Sequence, residues 1–92
     1  MKNLMRIKIK TLGPGLHPSQ VVVGLETRTG EEALVVDRGH IEGDFIDIGW
    51  PVGQSDGYYL VELPSETFRG SWRVWVNSNN LLLDDIRPRK FA

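Results

Sequence analysis

Residues that could do chemistry are few in this chain and stand apart. There are two histidines, His17 and His40, and no cysteine. General acid–base or metal chemistry needs several titratable groups converging on one pocket. The run Asp37-Arg38-Gly39-His40 puts a carboxylate near an imidazole, but the other histidine lies far off in a Leu16-His17-Pro18 turn. Both histidines read as surface loop residues. Asp44, Asp47 and Asp56 read as solvated carboxylates. No serine nucleophile elbow, phosphate-binding P-loop or dinucleotide fingerprint is present. Gly49-Trp50-Pro51-Val52-Gly53 cannot cradle phosphate, because no helix N-terminus follows it. A chain without cysteine has no disulfide framework and no thiolate metal site. The expectation is a protein that is not an enzyme and carries no catalytic residue, metal or cofactor.

Two sets of residues could instead recognise a partner. Arg6, Lys8 and Lys10 alternate with Met5, Ile7 and Ile9, so the three cations share one side of a strand. Such a stripe can neutralise phosphates, and Arg73, Arg87, Arg89 and Lys90 could join it in space. Against a nucleic-acid role stand the net charge of −1 and the pI near 6.1. Lysines that protect a strand edge explain the same stripe. The second set is aromatic and lies around Tyr58 and Trp75.

The elements that must carry these residues are strands. The dominant hydrophobic period is two, and no window holds an amphipathic helix of three turns. The first strand covers Met5 to Lys10. Gly13-Pro14-Gly15 and His17-Pro18-Ser19 then break the chain. Val21-Val22-Val23 opens a second strand that runs to about Arg28, since β-branched residues suit a pleated surface. Thr29-Gly30 is a turn, and Glu32 to Asp37 a third strand with Leu34 and Val36 on one face. Asp44 to Trp50 is the fourth, with Ile46 and Ile48 inward. Residues 51–57 are a loop of turn formers. Tyr58 to Leu63, Ser71 to Asn77 and Leu81 to Ile86 complete the set. A loop at 64–70 and a short 3₁₀ turn at Ser78-Asn79-Asn80 separate them, and Pro88 follows the last.

The chain has 92 residues, which makes one domain with one modest core. Short strands at regular spacing predict a small barrel or sandwich. Charge is uneven along it: residues 1–12 are basic, residues 13–83 acidic and residues 84–92 weakly basic. No run approaches the roughly 18 apolar residues of a membrane-spanning helix. Lys8 and Lys10 also interrupt any signal-like apolar stretch. A cytoplasmic protein without membrane contact is the expectation.

Residues 41–85 resemble an SH3-type barrel. Ile41-Glu42-Gly43-Asp44-Phe45-Ile46-Asp47-Ile48 looks like its diverging turn and following strand. Pro51 to Gly57 is similar to the n-Src loop, and Tyr58-Tyr59-Leu60-Val61-Glu62-Leu63 to the aromatic-led central strand. Residues 64–70 would be the distal loop. Trp75-Val76-Asn77-Ser78-Asn79-Asn80-Leu81 resembles the closing strand, 3₁₀ turn and final strand. Thr27 to Glu32 would be the tip of the RT loop. An OB-fold is the nearest competitor, but no helix is visible between its third and fourth strands. The resemblance implies an all-β, small SH3-like barrel of antiparallel strands with no long helix. The single domain spans 1–92, with 1–16 as an additional N-terminal strand and lead-in and 87–92 as a basic tail.

In that family an aromatic surface grips extended proline-rich peptides and acidic residues attract a basic one. The resemblance puts Tyr58 at the ligand-binding aromatic position, Trp75 near the specificity pocket, and Glu31 and Glu32 at the acidic rim. Asn77 replaces the family's 3₁₀ proline and Asn80 a binding tyrosine, so its polyproline groove is incomplete. Strand alternation puts Val61, Leu63, Val74 and Val76 inward and Tyr58, Leu60, Arg73 and Trp75 outward. The site expected is therefore Tyr58, Leu60, Trp75 and Arg73 with Glu31 and Glu32. Its partner would be a protein or peptide, or a second copy of the chain. A purely structural alternative is a cross-strand Tyr58–Trp75 pair roofed by Phe68, worth roughly 0.2 to 1 kcal/mol.

Overall fold

The computed structural model describes residues 4–84. The basic tail at 87–92 and the end of the strand expected to reach Ile86 lie outside the described residues. Ten strands run in the order β1 (Leu4–Lys8), β2 (Lys10–Pro14), β3 (Gln20–Thr27), β4 (Gly30–Asp37), β5 (Ile41–Glu42), β6 (Phe45–Ile48), β7 (Gly53–Ser55), β8 (Tyr58–Glu62), β9 (Arg73–Asn77) and β10 (Leu81–Asp84). Two 3₁₀ turns, Arg38–His40 and Ser78–Asn80, are the only helical residues among those described. The chain is all-β, as the period of two predicts.

The strands form three antiparallel sheets, ordered β10-β1-β6-β5, β2-β3-β4 and β7-β8-β9. None closes on itself, and the three sheets surround one core. Period-two alternation builds that core. Met5, Ile7 and Ile9 come from the first segment and Val21, Val23 and Leu25 from β3. Leu34 and Val36 come from β4, Ile46 and Ile48 from β6. Val61, Leu63, Val74 and Val76 complete a single buried cluster. Each such side chain contributes roughly 1.5–3 kcal/mol when fully buried.

Three local features differ from expectation. Gly13-Pro14 does not break the chain: β2 continues through it, with an irregularity between Thr11 and Gly13. Proline is tolerated there because β2 is an edge strand. The presumed loop at 51–57 contains β7, which pairs with β8 through a two-residue Asp56–Gly57 turn. Asp56 at φ 52° and Gly57 at φ 82° give the two positive angles that a tight hairpin turn needs. The N-terminal strand, expected as an addition, lies inside a sheet between β10 and β6.

The loop at 64–70 is pinned along β4. Phe68 N–H donates to Ala33 O at 2.8 Å, and Ser65 Oγ donates to Val35 O at 2.6 Å. Thr67 bridges Leu34, and its Oγ1 accepts from Ser71 N–H at 3.1 Å. The loop thereby covers an edge that would otherwise present unpaired backbone groups.

Candidate functional site

The outward face of β7-β8-β9 follows from register. Leu60 stands opposite Trp75, Glu62 opposite Arg73 and Tyr58 opposite Asn77. On the other side Gly53 stands opposite Leu60. The row Gly53–Leu60–Trp75 therefore crosses the sheet. A Cβ on Gly53 would lie 3.3 Å from Leu60 Cβ and 3.5 Å from Trp75 Cη2. The missing side chain leaves room for the indole, whose Cη2 reaches across the sheet toward Gly53. Leu60 and Trp75 are half-buried.

Each neighbour of this row is held by a specific contact. Arg73 Nε and Nη2 both donate to Glu62 Oε2, at 2.9 and 2.8 Å, and the guanidinium lies 4.9 Å from the centre of the Trp72 ring. Trp72 is exposed, although alternation puts it on the face of Val74 and Val76. Tyr58 is capped by Arg28, whose Cζ sits 5.0 Å from the ring centre. The Arg28 backbone N–H donates to Trp75 O at 2.8 Å, so the β3–β4 hairpin tip is docked on β9. Tyr58 and Trp75 are thus diagonal neighbours, not an opposed pair. Arg28 roofs Tyr58, while the exposed Phe68 is bonded to β4 instead.

Beside Tyr58 opens a polar furrow of about 280 Å³, lined by Glu26, Thr27, Tyr58, Asn77, Asn79 and Asn80. It continues into a second hollow of about 230 Å³ that shares Glu26 and Asn80 and adds Lys8, Lys10 and Glu31. Asn77 Oδ1 accepts from Asn79 N–H at 2.8 Å, which caps the 3₁₀ turn and shapes one wall. Glu26 and Glu31 are exposed.

Of the expected site residues, Tyr58, Leu60, Arg73 and Trp75 do share one face, and Glu31 lies along the continuing furrow. Glu32 does not belong to the rim. It is 7 % exposed and lies on the inward face of β4 with Leu34 and Val36. Its Oε2 lies 3.7 Å from Arg69, so it ties the 64–70 loop to β4 from within. Its place two residues before Leu34 is the signal that assigns it to this face.

The basic stripe is divided by acids. Arg6 is paired with Glu42 at 2.8 Å and Asp47 at 3.4 Å. Lys10 is paired with Glu31 at 3.1 Å, and Lys8 is exposed. Arg73 is on a different sheet; Arg87, Arg89 and Lys90 lie outside the described residues. His17 and His40 are both exposed, in turns that Arg38 joins through hydrogen bonds to Pro18 O and Ser19 O. Among the described residues no three His, Cys, Asp or Glu side chains converge as a metal site, and no helix is long and apolar enough to cross a membrane.

Sequence reasoning missed Arg28, Gly53 and Glu26. Asp56-Gly57 marks a tight turn and so points to Gly53, but nothing local to Arg28 tells which strand its hairpin tip will meet. No protein-family model, curated protein or solved structure matches the chain.

Proposed function

We propose that the chain is a non-catalytic binding module, SH3-like in organisation, that takes an extended peptide segment of a protein partner. The observation that carries this reading is the Gly53–Leu60–Trp75 row, a half-buried apolar strip beside a furrow lined by amides, a phenol and a carboxylate. An extended peptide can bury apolar side chains on the strip while its backbone groups meet Asn77, Asn79 and Asn80. Pockets for side chains beside donors and acceptors for the main chain are what extended-peptide recognition uses. Large aromatics at such a face supply contact area at low entropic cost. The nucleic-acid reading is weaker, because Arg6 and Lys10 are already paired with carboxylates.

Titration of isotope-labelled protein with an extended-peptide library tests the reading. The Trp75 indole N–H and the amides of Tyr58 and Asn79 should move together, with Lys8 still. A response confined to Lys8 and Lys10, or no response, would overturn it. A second copy of the chain is the competing occupant, and a mass above 10.4 kDa in light scattering that falls on Trp75→Glu would identify it.

A further inference from the structure

The Arg28 side chain comes from a distant segment and lies over Tyr58 on the proposed binding face. Its guanidinium covers the Tyr58 ring at 5.0 Å, and its Nη2 lies 3.8 Å from Asp56 Oδ2. A ring face beside a carboxylate is a chemical match for a planar cation: the ring attracts charge over its face and the carboxylate supplies the counter-ion. The arrangement is also loose. The Arg28–Asp56 separation is longer than the Arg73–Glu62 and Arg6–Glu42 contacts, both 2.8 Å, and both partners are substantially exposed.

The hairpin tip does not depend on this side chain. Its position is set by the Arg28 backbone N–H on Trp75 O, and its shape by Thr27 Oγ1, which donates to Gly30 O at 2.6 Å. The guanidinium can therefore leave while the turn stays. We propose that the Tyr58 ring and the Asp56 carboxylate form a guanidinium site that the chain fills from within with Arg28, and that an arginine of the partner occupies it by exchange. Tyr58 also walls the furrow that Glu26 lines, so a second carboxylate shares that furrow with the ring. This assignment rests on the peptide-binding reading for its biological use but not for its chemistry. It makes Arg28 a built-in competitor that raises the threshold for weak partners.

The test uses methylguanidinium as the probe and needs no peptide. Arg28→Ala should bind it with saturable movement of the Tyr58 ring signals, and about two- to fivefold more tightly than the unsubstituted chain, the factor expected for one exposed cation–ring contact. Arg28→Ala combined with Asp56→Asn should lose the saturable response. In the unsubstituted protein, the ring-shifted Arg28 side-chain N–H signal should move toward its free value as the probe is added. This arm does not depend on the variants folding. Unmoved Tyr58 signals in Arg28→Ala, or an Arg28 signal indifferent to the probe, would overturn the assignment. If peptides still shift Trp75 in that case, the binding reading survives alone. If the probe binds and no peptide does, the guanidinium site survives alone.

Discussion

Two outward sheet faces in this molecule are finished in opposite ways. On the β1–β6 face, Arg6 stands opposite Asp47 and reaches Glu42, so charge is answered by charge within the sheet. On the β7-β8-β9 face, Leu60 stands opposite Trp75, and the position beyond Leu60 is a glycine. The first face satisfies itself and leaves little for a partner to gain. The second keeps apolar area at its surface and bounds it with polar groups, the pattern of an interface core with a rim. The same β scaffold thus separates a face closed by ion pairs from a face that keeps Leu60 and Trp75 partly open to solvent.

The comparison breaks most readily at Trp75. Trp75→Ala should cost about 2 kcal/mol in urea unfolding, since most of the indole is buried against Leu60 and over Gly53. It should also abolish the peptide response, whereas a face that is merely structural would lose stability without losing a ligand. Gly53→Val comes next. Its branched side chain has to displace Leu60 or the indole, at about 1 kcal/mol, the low end for overpacking because this face is partly open. The Trp75 indole N–H resonance should shift with it, and an unmoved resonance would show that the indole does not need the glycine.

The smallest effects separate the two faces by charge. Arg6→Ala leaves Asp47 and Glu42 without their cation and should cost about 1 kcal/mol in the same unfolding measurement. Lys10→Ala removes an exposed pair with Glu31 and should cost no more than about 0.5 kcal/mol. Neither should alter peptide binding at the Trp75 face. Equal costs for the two would mean that Arg6 is no better held than a surface lysine.

Much of this plan is legible in the residues. Alternation picks out Ile7, Ile46, Val61 and Val76 as core, and all four are buried. The same alternation sets Leu60 and Trp75 outward on neighbouring strands. It also carries Glu32 inward, where charge alone argues for the surface. β7 is harder to see, because Gly53-Gln54-Ser55 has no apolar residue and its strand character comes from pairing with β8. Trp72 shows the limit of periodicity near a strand start, where the chain leaves the sheet and the ring turns out under Arg73. Arg28 marks the other limit, since the meeting of a hairpin tip with β9 is a matter of tertiary docking.

The position of β1 has a consequence for the order in which the fold can form. β1 is hydrogen-bonded on one side to β6 and on the other to β10, with Leu4 paired to Asp84 across nearly the whole described chain. Closing so long a loop carries an entropic cost and slows folding relative to local pairing. During synthesis the hairpin β3–β4 can pair as soon as it emerges, and the β7-β8-β9 face once Asn77 is free. β1 must wait with one edge open until β10 arrives. The β7-β8-β9 face can therefore assemble before the sheet that holds the first strand, and a nascent chain stalled short of Leu81 would leave the β1 edge unpaired on the β10 side.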